Sequence, residues 1–152
     1  MREIKTKHLF RIALRAGTPH VIGRVAKGER RPSPVIDGTF EGERLKGEVL
    51  NGSNDWILIR SDGVWELDVR LALRTHDGEM IAMTYRGLRH GPPDVLERVG
   101  RGEIVDPWSY YFRTAVMFET GSDRYAWLNR LIGIGFGFRE PDGPRYDVFE
   151  VL

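Results

Sequence analysis

Val64-Trp-Glu-Leu-Asp-Val-Arg-Leu-Ala-Leu-Arg74 alternates apolar and charged side chains at the period of a β-strand. Trp65, Leu67, Val69, Leu71 and Leu73 share one face; Glu66, Asp68, Arg70 and Arg74 share the other. Ser61-Asp62-Gly63 precedes the stretch and Thr75-His76-Asp77-Gly78 follows it. Each Asp-Gly pair suits a tight reversal, so the strands on both sides are expected to run antiparallel to it.

Working outward, the same period recurs. Towards the N-terminus, residues 8 to 15, Val21 to Val25, Val35 to Phe40, Leu45 to Leu50 and Asp55 to Arg60 read as strands. Gly28 to Pro34, with its two prolines, reads as a basic loop. Asp55 to Arg60 sets Trp56 and Leu58 against Ile57 and Ile59, which predicts burial on both faces. Towards the C-terminus, Met80 to Leu88, Ser109 to Thr120, Tyr125 to Phe138 and Tyr146 to Leu152 continue the series. The one helix expected is Pro92 to Val99, with prolines at its start and Gly100 and Gly102 beyond its end.

Nine or ten strands joined by tight turns, with one short helix, predict an all-β fold. A sheet of that length curls and closes, so an antiparallel up-and-down β-barrel is expected. Gly133-Ile-Gly-Phe-Gly137 removes every second side chain from one strand. It fits a kink at barrel closure, or a place where something presses against the backbone. No helix follows these glycines, which rules out a dinucleotide fingerprint.

Composition narrows the function. The 152 residues, 41% hydrophobic, suffice for one domain and one core. The 23 basic and 22 acidic residues nearly cancel and are interspersed, which argues against nucleic acid or a membrane surface as partner. The most apolar run, Leu131 to Phe138, is far short of the ~20 residues a membrane helix needs. The N-terminus lacks the apolar core of a signal peptide. There is no cysteine, which suits a cytoplasmic protein and excludes thiolate chemistry. The four histidines, at 8, 20, 76 and 90, lack ligand spacing, and no phosphate loop or Gly-x-Ser-x-Gly elbow occurs. No metal and no cofactor are expected.

The segments Gly38-Thr-Phe-Glu-Gly42, Leu45-Lys-Gly-Glu-Val49, Asn54-Asp-Trp56, Leu67-Asp-Val-Arg70, Tyr111-Phe-Arg-Thr114, Phe118-Glu-Thr120 and Trp127-Leu-Asn129 together resemble uncharacterised protein family 0311, domain of unknown function 3237. The resemblance implies a compact β-barrel with no assigned activity. Asp37 stands where the family's paired-glycine turn leads one to expect a glycine.

Polar residues that share strand faces suggest a site. Asp68 with Arg70, Tyr111 with Arg113, and Trp127 with Asn129 each lie two positions apart. If these faces point inward, the barrel mouth gathers a carboxylate, two guanidinium groups, an amide and aromatic walls, with Tyr85 and His90 beside them. Such a pocket suits a small apolar or aromatic carboxylate or phenol. In an alternative reading Asp68 is a desolvated base and Arg113 and Tyr111 stabilise an oxyanion, as in a cofactor-free isomerase or cyclase. In a third, Glu66, Asp68, Arg70 and Arg74 are the solvated face of a filled barrel, a structural or interaction protein. Trp56, Trp65, Tyr110 and Phe112 are expected to pack in the core or an interface. Apolar side chains on both faces of several strands predict a homodimer.

Overall fold

Ten strands run through the chain: β1 (Thr6–Ala16), β2 (Gly23–Val25), β3 (Gly28–Glu41), β4 (Lys46–Val49), β5 (Ser53–Ile59), β6 (Trp65–Thr75), β7 (Met80–His90), β8 (Tyr111–Glu119), β9 (Gly133–Glu140) and β10 (Gly143–Val151). One helix, α1 (Pro93–Gly100), lies between β7 and β8. These elements come from a computed structural model that describes residues 1–152.

From β6 the sheet runs β6-β7-β8-β9-β10-β1 by antiparallel neighbours, and β1 then pairs with β3. β4 and β5 both bridge β3 to β6, one at each end, so they share a single position in the ring. The sheet is thereby a closed barrel, with β2 added as a short hairpin strand on β3. Gly63 and Gly78, in the two Asp-Gly turns flanking β6, have φ of 84° and 88°, the left-handed backbone such reversals require.

The alternation of β6 sorts inside from outside as the sequence predicts. Leu67, Val69, Leu71 and Leu73 are buried, whereas Arg70 and Arg74 are exposed. Ion pairs stud the outer wall, among them Arg11–Asp147, Arg15–Asp37 and Arg74–Glu48.

The two ends of the barrel differ. At one, a 3₁₀ turn at Ala126–Arg130 inserts Leu128, fully buried, beneath the strands, and the Tyr125 hydroxyl donates to Asp77 Oδ1 at 2.9 Å. Inward side chains nearby, Leu73, Ile81 and Met83, have essentially no exposed surface. This end is closed. At the other end the inward side chains of Asp55, Trp65 and Arg89 are only half-buried. This end, the mouth, is the less tightly sealed of the two, although Tyr110, Phe112 and Tyr146 beneath it are buried. The connection carrying α1 lies there and packs Val95, Leu96, Val99 and Val105 against the core.

Several sequence expectations are corrected. Gly28 to Pro34 is the first half of β3 and not a loop. Its prolines are tolerated because the carbonyls of Pro32 and Pro34 face the irregular connection after β1 and accept from the His20 and Gly17 amides. Their missing N–H groups fall on that side, where no ladder needs them. Tyr125 to Phe138 is not one strand: the 3₁₀ turn replaces its first half so that Leu128 can plug the barrel. Trp56 lies on the outer wall, 51% exposed, because its neighbour Asp55 takes the inward phase. Asp37 is not in a turn; it sits within β3 opposite Arg15.

The glycine row of β9 serves the protein's own side chains. A Cβ on Gly137 would stand 2.6 Å from Cγ of Phe112, and one on Gly135 would stand 2.2 Å from Oγ1 of Thr114. What presses on that backbone is β8.

Candidate functional site

Of the residues that the sequence suggests for a site, the barrel brings few together. Asp68 and Arg70 point outward from β6; Asp68 accepts from Arg86 at 3.3 Å, and Arg70 sits opposite Thr84 and Asn54. Arg113 also points outward, its guanidinium 3.8 Å from the ring centre of Phe136, and no carboxylate partners it. Tyr111 is 43% exposed and stacks on His90 at 4.8 Å. Trp127 and Asn129 lie at the closed end. Arg44 covers Trp127 at 3.6 Å, and the Asn129 amide bonds both the N–H and the carbonyl of Thr120. Only Tyr85 faces the interior. The expected convergence of Asp68, Arg70, Arg113 and Asn129 inside the mouth does not form, because each occupies an outer strand phase or the far end.

The mouth is lined instead by polar residues on the inward phase. Asp55 follows from β5 pairing: it lies opposite Val69 of β6 and Ser33 of β3, both buried. Its Oδ1 accepts from the Asp68 amide at 3.2 Å, and the β5–β6 pairing skips the two positions after Asp55. Burial raises the carboxyl from 3.8 to about 7, against the lowering effects of the Asp68 amide and the positive charge of Arg89. Arg139 also lowers it, and Asp68 raises it.

Arg89 sits on the inward row of β7, in phase with Ile81, Met83 and Tyr85. Its guanidinium lies 4.1 Å from the ring centre of Trp65 and 5.7 Å from that of Phe112. The Nε is fully buried with no acceptor, and no carboxylate forms an ion pair with this arginine. Burial, with the like charge of Arg139, draws its pKa from 12.5 to about 10, so it remains cationic at neutral pH.

Beneath these groups lies a buried layer of aromatic side chains. Tyr146 lies 5.2 Å from both Tyr85 and Phe112, ring centre to ring centre. The hydroxyl of Tyr110 accepts from the Arg139 amide at 2.8 Å. Burial raises the Tyr85, Tyr110 and Tyr146 phenols above their ordinary range, so all three are neutral donors. Two guanidinium groups against one carboxylate make the interior a place for an anion. Nowhere in the molecule do three or more His, Asp or Glu side chains converge as metal ligands.

A signal for Asp55 and Arg89 does exist in the sequence. Asp55 shares its phase with Ile57 and Ile59, and Arg89 shares its phase with Ile81, Met83 and Tyr85. A charge on the apolar phase of a strand is the informative exception.

The sequence profile of the family described as "Protein of unknown function (DUF3237)" matches residues 4–151. The chain is 37% identical over 149 residues to the UPF0311 protein RPA1785 of Rhodopseudomonas palustris, covering 98% of this chain and 97% of that protein. The crystal structure of RPA1785, a conserved protein of unknown function, superposes with a TM-score of 0.95 over all of both chains. A beta-barrel like protein from Acinetobacter baumannii gives 0.87 at 34% identity, covering 100% of this chain and 98% of that one. In fold alone the chain is also similar to an enzyme from Penicillium herquei, with a TM-score of 0.77 at 18% identity, over 100% of this chain and 97% of that one. By its profile match and these full-length relatives, the chain belongs to the DUF3237 family, also named UPF0311.

Proposed function

We propose that the protein binds a small aromatic or apolar organic anion in the mouth of its barrel, with Arg89 as the anion clamp. The observation that carries this reading is a half-buried guanidinium whose Nε–H is fully buried and unused, stacked on Trp65 and paired with no carboxylate. A buried donor without an acceptor is costly, and an incoming anion supplies what it lacks. The partly exposed Trp65 offers a flat apolar face for a ring, backed by the buried layer of Phe112, Tyr110 and Tyr146. The clamp is therefore assigned to Arg89, where the sequence alone suggests Arg70 and Arg113. A cytoplasmic, cysteine-free homodimer completes the reading. Exposed Leu88, Trp108, Tyr111, Met117 and Ile134 on the outer wall support self-association.

Titration calorimetry with benzoate, 2-naphthoate and 3-nitrophenol tests the binding. Charge-assisted hydrogen bonds contribute roughly 1.5 to 3 kcal/mol, so Arg89→Gln should weaken binding by about ten- to a hundredfold. Arg89→Lys should recover part of it, since an ammonium keeps the charge but not the planar fork. Equal affinity of wild type and Arg89→Gln for these probes would contradict the reading.

A further inference from the structure

Asp55 stands at the same end of the barrel as the clamp, and one of its two oxygens is not used by the fold. Its Oδ1 takes one amide hydrogen bond, and no side chain donates to its other oxygen. Ser33 of β3 and Val69 of β6 flank it, and the positive charges of Arg89 on β7 and Arg139 on β9 reach it across the interior. Asp68 adds a negative charge from the outer side of β6, and the Tyr85 and Tyr146 phenols feel its charge from the buried layer beneath. A half-buried carboxylate with a free oxygen, within the field of a cation with a free donor, is half of a proton-transfer site.

We propose that the mouth selects a weakly acidic hydroxyl compound, a phenol or an enol, whose proton passes to Asp55 while Arg89 holds the oxyanion that remains. The inference rests on the binding reading above and names the class of its ligand. In the step, the ligand O–H bond breaks, an O–H bond forms on the free oxygen of Asp55, and the electron pair stays on the ligand oxygen. No proton enters or leaves the site, and no co-reactant is required. A ligand that arrives as a carboxylate has no proton to give; it must either face the charge of Asp55 or draw a proton from solvent. A weak acid brings its own. A carboxyl that titrates near neutrality is also closer in acidity to phenols and enols than an ordinary aspartate, which favours the exchange.

3-Nitrophenol is the probe, because only its phenolate absorbs in the visible. The titration is run midway between the Asp55 midpoint and that of free 3-nitrophenol, where Asp55 is mostly ionised and the free probe mostly neutral. Calorimetry in buffers of different ionisation enthalpy counts the protons exchanged with solvent. With wild type, the phenolate band should appear on binding with no net proton released. With Asp55→Asn, the bound probe should either stay colourless or become phenolate only by releasing one proton per site to the buffer. Benzoate should bind wild type with proton uptake, and should bind Asp55→Asn with none. A wild-type complex that binds 3-nitrophenol but stays colourless overturns this inference and leaves the binding reading standing. So does a wild-type phenolate band accompanied by release of one proton. Failure of both probes to bind overturns the binding reading itself.

Discussion

At the scale of single residues, strand phase separates two aspartates that lie near the mouth. Asp68 and Asp55 are both aspartates on neighbouring strands, yet one is an outer-wall partner of Arg86 and the other is desolvated inside the mouth. The carboxyl of Asp55 binds its proton more tightly in the folded protein than in the unfolded chain. Its neutral form therefore favours folding below the unfolded value of 3.8, and that contribution is lost as pH rises through about 7. Ionising a carboxyl moved from 3.8 to about 7 costs about 4 kcal/mol as an upper figure. Asp55→Asn should accordingly stabilise the protein above that midpoint and leave it unchanged in acid, as read by urea unfolding at the two pH values. Arg113, read from the sequence as a buried clamp, lies over Phe136 on the outer wall. Arg113→Ala should cost only about 0.5 to 1 kcal/mol, the worth of an exposed cation–π contact, and should leave binding in the mouth unaltered. The site was legible in the sequence only as a charge on an apolar phase. Asp55 escapes notice there because Trp56 and Leu58 make the opposite face look equally buried.

At the scale of elements, alternation was a reliable guide where one face was wholly apolar, as in β6, and a poor one where tertiary contacts overrode it. Pro32 and Pro34 made the start of β3 look like a loop, since nothing local shows that their empty donor positions face irregular backbone. The 3₁₀ turn at Ala126–Arg130 was hidden likewise, because its purpose, plugging the closed end with Leu128, is a non-local one. The glycines of β9 give a direct check. Gly137→Ala drives a methyl into the Phe112 ring and should cost about 1 to 3 kcal/mol in denaturant unfolding. Gly100→Ala, at the end of α1 with open space around the added methyl, should instead stabilise by about 0.4 to 1 kcal/mol. Equal effects at the two positions would contradict the packing described for β8 on β9.

At the scale of the whole molecule, the closed antiparallel barrel was legible because turns and periodicity recur along the entire chain, and because a sheet this long has few other ways to cover its edges. Which end is less tightly sealed was not legible, since that depends on where the Gly91–Tyr110 and Thr120–Ile132 connections settle. Assembly belongs to this scale too. Light scattering at micromolar concentration should give twice the chain mass, and a monomer would remove the role given to Leu88, Trp108 and Met117. The claim on which the rest depends is that the ligand site lies inside the mouth and not along the outer wall. Mapping of NMR shifts during titration with 3-nitrophenol tests it most directly. The largest changes should fall on the Trp65 indole, the Arg89 Nε–H, and the Asp55, Tyr110 and Arg139 amides, whereas changes centred on Asp68, Arg70, Arg86 and Arg113 would contradict the account.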